Sequence, residues 1–215
     1  MTTEQTSVQR GTQAGAPGAY AQRDNAAFEG QLAARTVTHD AAFLLPYLHP
    51  GMELLDVGCG SGRYCIEMAK AGAKEVVGVD ISPKMLEIAK QLAVDYGVSS
   101  RCQFLQKDVL DIQNSFDDAI AMGFFDYVQK PELVFSHLRT IVCDKFIASF
   151  PAISAPRATF RKCWLTLRGC PVYFYSKSEI NLLCRRAGFV CNTLIKRGPI
   201  YLLVAVPDLK SSGQI

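Results

Sequence analysis

The residues with the clearest chemical potential form a short glycine-rich segment of the 215-residue chain, Asp56-Val-Gly58-Cys59-Gly60-Ser-Gly62. Glycine permits backbone conformations closed to other residues and lets a ligand touch the main chain. An apolar strand pattern precedes the segment and a helical pattern comes after it, so a helix amino terminus with free N–H groups stands behind the glycines. The segment therefore predicts a cofactor-binding loop.

Two further acidic residues each come after an apolar strand pattern. Asp80 comes after Val-Val-Gly-Val, and Asp108 comes after Phe-Leu-Gln-Lys. Asp80 is not needed as a helix cap, because Ser82 and Pro83 already have the residue types of an N-cap and a first helical position. Asp108 has a second interpretation as the N-cap of a short helix.

The spacing of the glycines distinguishes this loop from a dinucleotide-binding loop. The glycines have the pattern G-x-G-x-G with Asp56 two residues ahead, whereas dinucleotide-binding loops have the pattern G-x-G-x-x-G. The loop also lacks a basic residue that would meet a pyrophosphate. A nicotinamide-dependent dehydrogenase is therefore disfavoured, and the hairpin predicted at the carboxyl terminus disfavours it further.

The elements that must position these residues alternate between strand and helix, which predicts an α/β, doubly wound, mostly parallel sheet. Helices are predicted for about Arg63–Ala71, from Ser82 to Gly97, for Pro131–Val142 and from the Ser176-x-x-Glu179 capping box to Gly188. The last two strands are joined only by Arg197-Gly-Pro, so they must form an antiparallel hairpin. The seven predicted strands are Glu53–Val57, Val76–Val79, Cys102–Gln106, Ala119–Met122, Lys145–Phe150, Phe189–Ile195 and Ile200–Val206.

The domain organisation is predicted from composition. Residues 1–19 are poor in large apolar side chains and are expected to be a disordered tail, and residues 208–215 a second tail. Residues 20–207 are expected to form a single domain, with a helical cover over residues 20–48 and a substrate-lid insertion over residues 151–175.

No apolar run reaches the roughly 20 residues of a membrane span, and no signal peptide is visible, so we expect a cytoplasmic protein with eight reduced cysteines.

The net charge of +3 hides an asymmetry. Through Leu138 the chain has 11 Lys and Arg against 17 Asp and Glu, and from Arg139 onward it has 12 against 3. The carboxyl-terminal part is thus expected either to meet an anionic partner or to present a solvated basic face.

The glycine loop together with the acidic residues after the next two strands resembles the class I S-adenosylmethionine-dependent methyltransferases, over about residues 20–206. The resemblance implies that Gly58, Cys59 and Gly60 run beside the methionine part of the cofactor and that Asp56 orients the loop. It implies that Asp80 binds both ribose hydroxyls, as a carboxylate with two acceptor oxygens can. The other positions implied to contact the cofactor are Tyr20, Ile81, Met85, Asp108, Val109, Met122, Gly123 and Phe124.

Among these positions, Asp108 and the Val109 N–H are matched to the adenine edge, and Ile81 and Met85 to the adenine faces. A backbone carbonyl in Met122-Gly123-Phe124 is matched to the cofactor's ammonium group. No metal ligands are expected, because methyl transfer is an in-line displacement that proximity and alignment can catalyse.

The residues that contact the methyl acceptor are expected after the fourth strand, in the segment Gly123-Phe124-Phe125-Asp126-Tyr127. This segment matches neither the Asn/Asp-Pro-Pro-aromatic tetrad of enzymes that methylate nucleobase amines nor the paired glutamates of protein-arginine enzymes. Phe124, Phe125 and Tyr127 are either an electron-rich wall for the sulfonium or ordinary packing against the next helix. Phe125 is retained as a substrate contact and Tyr127 as a catalytic candidate.

The segment from Pro151 to Tyr175 mixes cationic and aromatic side chains. It could hold an anionic, planar acceptor through Arg–carboxylate contacts, and it is similar to the branch that contains magnesium-protoporphyrin O-methyltransferases. The predicted substrate contacts in it are Arg157, Arg161, Trp164 and Tyr175.

Candidate bases are few, since the chain has three histidines. His39, in the amino-terminal cover, is the catalytic candidate, and His137 is expected to be structural. A carboxylate acceptor needs no base, because it is ionised at neutral pH, whereas a phenol would benefit from one.

The sequence therefore predicts a methyltransferase for a small-molecule acceptor, by O-methylation of a carboxylate or hydroxyl on a planar or anionic compound. The alternatives are N-methylation of a small molecule or a nucleic acid, and a cofactor-binding protein without catalysis. Nucleic acid is disfavoured by the compact length and the absent tetrad.

Overall fold

The computed structural model describes residues 43–153 and 172–209, and the account of the fold is confined to them. Seven strands and four helices come after a 3-10 turn at Leu45–Tyr47. The strands are β1 (Glu53–Val57), β2 (Glu75–Asp80), β3 (Cys102–Gln106), β4 (Phe116–Ala121), β5 (Val142–Pro151), β6 (Phe189–Arg197) and β7 (Ile200–Pro207). The helices are α1 (Arg63–Lys70), α2 (Pro83–Asp95), α3 (Pro131–Ile141) and α4 (Lys177–Ala187).

The strands form one sheet in the order β3-β2-β1-β4-β5-β7-β6. The first five are parallel, and β7 pairs antiparallel with both β5 and β6. The predicted doubly wound, mostly parallel sheet of seven strands with an antiparallel carboxyl-terminal hairpin is confirmed. Along the chain the order reverses between β1 and β4, which makes their carboxyl ends the place where such folds bind ligands.

Helix ends have the predicted local chemistry. The Ser82 hydroxyl caps α2 by accepting from the Met85 N–H. Ser176 and Glu179 form a reciprocal capping box at the start of α4, and Gly188 ends that helix in the left-handed conformation. These contacts depend on residues three or four apart, so the sequence pattern was sufficient to predict them.

Two apolar layers cover the sheet. Helices α1 and α2 pack on one face, over a cluster that includes Leu54, Val76 and Ile147. Helices α3 and α4 pack on the other face over an aromatic cluster. The largest fully buried side chains of that cluster are Phe125, Phe135, Phe146, Phe150 and Phe189.

Three sequence expectations about these elements need correction. Strand β4 begins at Phe116 and ends at Ala121, whereas Ala119–Met122 was predicted, because the acidic pair Asp117-Asp118 hid its start. The helical spacing of Leu133, Val134, Leu138 and Ile141 predicts that all four lie on the buried stripe of α3, but Leu133 is 50% exposed. Asp208 was assigned to the carboxyl-terminal tail, yet its N–H donates to the Gly188 carbonyl at 2.8 Å.

Other expectations lie partly or wholly outside the described residues: the tail at 1–19, residues 20–42 of the helical cover, residues 154–171 of the insertion and the end of the chain from residue 210. The six cysteines within the described ranges are free thiols. Among the described helices, none combines the length and the apolar character that crossing a bilayer requires.

We expect Phe135→Ala to lower the free energy of unfolding by about 3–5 kcal/mol, the usual cost of a buried phenylalanine truncation. Phe135 is fully buried, with ring centroids 5.3 Å from both Phe125 and Phe146. Urea denaturation measures the change, and Leu133→Ala on the same helix is the matched control, expected to stay within about 0.5 kcal/mol. Equal losses in the two variants would contradict the assigned burial.

Candidate active site

The glycine loop connects β1 to α1 at the carboxyl edge of the sheet, at the reversal of strand order. The Gly58 and Cys59 N–H groups both donate to the Val79 carbonyl of β2, at 2.9 and 3.0 Å. These bonds hold the loop against the neighbouring strand. The loop's shape is therefore set by the protein itself.

Two positions show why the loop needs glycine. Gly58 has φ 67°, and a Cβ there would lie 2.6 Å from Cδ2 of Phe124, so the ring of Phe124 packs directly on this glycine. Gly60 has φ 52°, and a Cβ there would have no heavy atom within 4 Å. Gly60 thus borders open space, which a ligand lying on the loop would fill.

Asp80 ties the loop to the end of β2. One carboxylate oxygen accepts from the Gly60 N–H at 2.8 Å and the other from the Ser82 N–H at 2.9 Å. Burial raises the pKa of Asp80 above its ordinary value. Each carboxylate oxygen has two acceptor sites, so Asp80 retains the capacity to accept from a ligand as well.

Ile81, the next residue, is a large apolar side chain that is 37% exposed beside Asp80. Open space over Gly60, a carboxylate at its rim and an exposed apolar surface suit a nucleoside with its sugar hydroxyls on Asp80. The residues present therefore fit the cofactor implied by the sequence resemblance.

Asp56 lies beneath the loop and is only 1% exposed. It accepts a hydrogen bond from the Sγ of Cys65 in α1, at 3.1 Å. Burial raises its pKa to about 7, and the nearby Asp80 carboxylate contributes to the rise. Its role in orienting the loop, expected from the sequence, stays a prediction.

The raised pKa of Asp56 leads to a test of stability against pH. The folded chain holds this proton more tightly than an unfolded chain with a pKa of 3.8 does. The resulting stabilisation is complete below the unfolded pKa and is lost as pH rises through about 7. We expect the free energy of unfolding of the wild type, minus that of Asp56→Asn, to fall across this range in urea titrations at several pH values. A difference that grows with pH would contradict the assignment.

Asp108 lies just after β3 and caps a 3-10 turn at Val109–Asp111, with its Oδ1 accepting from the Leu110 N–H at 2.9 Å. The capping interpretation of Asp108 is therefore correct. Its predicted contact with adenine is a separate question and stays a prediction, as does that of Val109, which is buried at 2% exposure.

The end of β4 faces the glycine loop. Gly123 turns the chain with φ 73°, and its N–H donates to the Ser149 hydroxyl of β5 at 2.7 Å. Phe124 then packs on Gly58 and meets Phe125 edge to face, with ring centroids 5.3 Å apart. The loop and the end of β4 thus form two sides of one site.

Ser149 was missed by the sequence interpretation. It is the one hydroxyl in the strand sequence Phe146-Ile-Ala-Ser-Phe150, and it is 5% exposed. A lone polar residue near the carboxyl end of an apolar strand is the sequence signal by which Ser149 could have been found.

Several predicted residues have core positions. Phe125 was expected to contact the substrate but is fully buried, stacked on Phe150 at 4.6 Å, so this expectation is wrong for the described structure. Tyr175 is 6% exposed, and its hydroxyl donates to the Phe125 carbonyl at 3.2 Å, so it braces the loop after β4. Met85, in the first turn of α2, is 3% exposed. Burial leaves these side chains little surface for a ligand.

Tyr127, the catalytic candidate, is half-buried, and its N–H donates to the Phe124 carbonyl at 3.1 Å. His137 has the structural position expected of it, with Nε2 2.9 Å from the Ile112 carbonyl. The remaining predicted residues, Tyr20, His39, Arg157, Arg161 and Trp164, lie outside the described residues. Within the described ranges, no three His, Cys, Asp or Glu side chains are arranged to hold a metal ion.

Comparison with known proteins supports a common chemistry. A family model for a methyltransferase domain matches residues 48–154. The ubiquinone biosynthesis O-methyltransferase of Chromobacterium violaceum is 33% identical over 172 residues, which span 74% of each chain. Ajmaline N-methyltransferase of Rauvolfia serpentina is 31% identical over 109 residues, covering 49% of this chain and 33% of the relative.

Among solved structures, magnesium protoporphyrin IX methyltransferase from Synechocystis PCC 6803, determined with bound S-adenosylhomocysteine, superposes with a TM-score of 0.68. It is 23% identical and covers 86% of this chain and 89% of its own. At that sequence identity the structural similarity shows a shared fold, whereas the sequence relatives show the family to which the chain belongs. The glycine loop, the strand order and these relatives show that the chain belongs to the class I S-adenosylmethionine-dependent methyltransferases.

Proposed function

We propose that this methyltransferase acts on a small anionic acceptor, transferring the methyl group to a carboxylate or hydroxyl oxygen. The observation that carries the proposal is the position of the β6–β7 turn. Ile200 pairs with Pro151, so Lys196 and Arg197 reach the same edge of the sheet as the glycine loop. Both side chains are exposed there.

The described residues on either side of the segment 154–171 also lie at this edge. The Ile153 N–H donates to the Tyr175 carbonyl at 3.0 Å, and the Tyr173 N–H donates to the Asp126 carbonyl at 2.9 Å. Arg157, Arg161 and Trp164 belong to that segment and remain proposed acceptor contacts. The two exposed cations Lys196 and Arg197 at this edge favour a carboxylate or another anion as the ligand group.

The two described histidines, His49 and His137, make contacts away from the glycine loop, which favours an acceptor that needs no base. His137 lies within α3 and contacts the Ile112 carbonyl, and His49 lies just before β1, at the edge of the sheet opposite the glycine loop. A carboxylate is already ionised at neutral pH. His39 remains a proposed base for a hydroxyl acceptor.

In the proposed mechanism the protein chiefly binds and aligns its two substrates. S-adenosylmethionine, when bound, would supply the methyl carbon, and its positively charged sulfur would keep the electrons of the C–S bond. Asp80 would hold the ribose hydroxyls, Gly60 would leave room for the cofactor over the loop, and Phe124, which packs on Gly58, would offer its ring to the sulfonium. A carboxylate acceptor would carry no proton to lose, whereas a hydroxyl acceptor would give its proton to a base, for which His39 is the proposed candidate. Alignment of the two reactants lowers the barrier.

A product-mass screen tests the acceptor class. The panel contains aromatic carboxylates, phenols and amines, with a porphyrin dicarboxylate included because of the fold shared with the Synechocystis enzyme. We expect mass gains of one methyl group on carboxylates or phenols, and a raised KM for that acceptor in Lys196→Ala/Arg197→Ala with the cofactor KM unchanged. Methylation confined to neutral amines would overturn the proposal in favour of N-methylation, the chemistry that the Rauvolfia relative's name describes.

A further inference from the structure

We propose that Ser149 is a positioning residue that aims the Met122 carbonyl at the ammonium group of the cofactor. The inference rests on the proposed placement of the cofactor's amino-acid end beside β4 and is independent of the acceptor. Its basis is the hydrogen bond from the Gly123 N–H to the Ser149 hydroxyl, 2.7 Å long.

This bond continues the contact between β4 and β5 beyond the end of their backbone ladder. The last paired residues of the two strands are Ala121 and Ala148. Past that point the chain turns at Gly123, whose φ of 73° takes it out of the strand conformation. The Ser149 side chain supplies the acceptor that the ladder no longer offers, so the orientation of the Met122–Gly123 peptide depends on it.

The orientation of that peptide decides where the Met122 carbonyl points. No peptide bond in the described chain is cis, and in a trans peptide the N–H and the C=O point in opposite directions. The Gly123 N–H points toward β5. The Met122 carbonyl therefore points to the other side of β4, where β1 pairs with it and continues into the glycine loop.

A carbonyl aimed at the loop is a suitable acceptor for an ammonium group. The contact of Phe124 with Gly58 brings the end of β4 beside the glycine loop, and the open space at Gly60 leaves room there for the ligand. For a different carbonyl of the same turn to accept from the ammonium group, the Met122–Gly123 peptide would have to rotate. Its hydrogen bond to Ser149 would then break. Without the Ser149 hydroxyl, we expect the peptide to sample other orientations and the ammonium contact to weaken.

The test compares two ligands that differ only in the ammonium group. S-adenosylhomocysteine carries it, and the deamino analogue has hydrogen in its place while keeping the carboxylate and the adenosine. Calorimetry on the full chain is expected to show a roughly 5- to 10-fold loss of S-adenosylhomocysteine affinity in Ser149→Ala, because the ammonium contact is weakened and not abolished; a complete hydrogen bond to a charged group contributes about 10- to 150-fold. Affinity for the deamino analogue should change less than about twofold.

Two further variants complete the design. Ser149→Thr keeps a hydroxyl and is expected to retain the preference for the ammonium-bearing ligand. Thr140→Val removes a hydroxyl that bonds the His137 carbonyl, at the opposite end of α3 from the turn, and should alter neither affinity. Equal losses for both ligands in Ser149→Ala, or unchanged affinity for S-adenosylhomocysteine, would overturn the proposal. Because the measurement is of cofactor binding, a wrong acceptor class would leave its result unaffected.

Discussion

Asp80→Ala is expected to weaken S-adenosylhomocysteine binding by at least about 100-fold, because a ribose diol bonded to a carboxylate makes two charge-assisted hydrogen bonds. A second loss adds to this one. Asp80 also accepts from the Gly60 N–H at 2.8 Å, so the alanine variant frees the centre of the glycine loop. Isothermal titration calorimetry measures the affinity, and thermal unfolding checks that the variant is folded.

Asp95→Ala is the matched control for charge. Asp95 is an exposed carboxylate at the end of α2, the helix that begins just after Asp80, and its partner is the Gln91 amide. The substitution removes the same carboxylate from a site away from the loop, so affinity should stay within about twofold. Unchanged affinity in Asp80→Ala would eliminate the ribose assignment.

Gly60→Ala is expected to lower cofactor affinity by about 10- to 100-fold while leaving the fold intact, because the new Cβ enters space that the ligand fills. The protein itself has room for this atom, since no heavy atom lies within 4 Å of its position. The positive φ of 52° adds backbone strain of about 1–2 kcal/mol. Urea denaturation and calorimetry separate the two effects.

Gly97→Ala isolates the strain. Gly97 lies just after α2 with φ 68°, and a Cβ there likewise meets nothing within 4 Å. The two alanine variants should therefore lose similar free energies of unfolding, while only Gly60→Ala loses affinity. If both variants bound the cofactor equally well, the open space over Gly60 would not be the ligand site.

The sequence was sufficient wherever neighbours along the chain determine the structure. The Ser82 cap, the Ser176–Glu179 box and the β6–β7 hairpin each depend on residues a few positions apart. The order of strands and helices, repeated along the chain, predicted the sheet. The resemblance to the family rests on the glycine loop and on Asp80 past the next strand. These residues come together because neighbouring parallel strands end at the same edge of the sheet.

Strand β4 shows where local pattern was misleading. Asp117 and Asp118 interrupt the apolar run, yet both satisfy backbone groups of neighbouring strands. The Glu53 N–H donates to Asp117 and the Lys145 N–H to Asp118, each at 2.8 Å. These donors belong to residues 64 and 27 positions away. A polar residue in a strand is stable when a distant donor meets it, and no local pattern contains that donor.

By itself, the sequence determined the fold class, the cofactor family and the loop from Asp56 to Gly62, because these depend on residue types at short, regular spacing. Only the tertiary structure decided which of two adjacent aromatic residues faces the loop. Phe124 packs on Gly58, whereas Phe125 points into the core against Phe150. It also brought Ser149 to Gly123 across 26 positions. Side-chain direction after a turn depends on the glycine conformation and on the packing of distant strands, and neither is encoded in the identity of one residue.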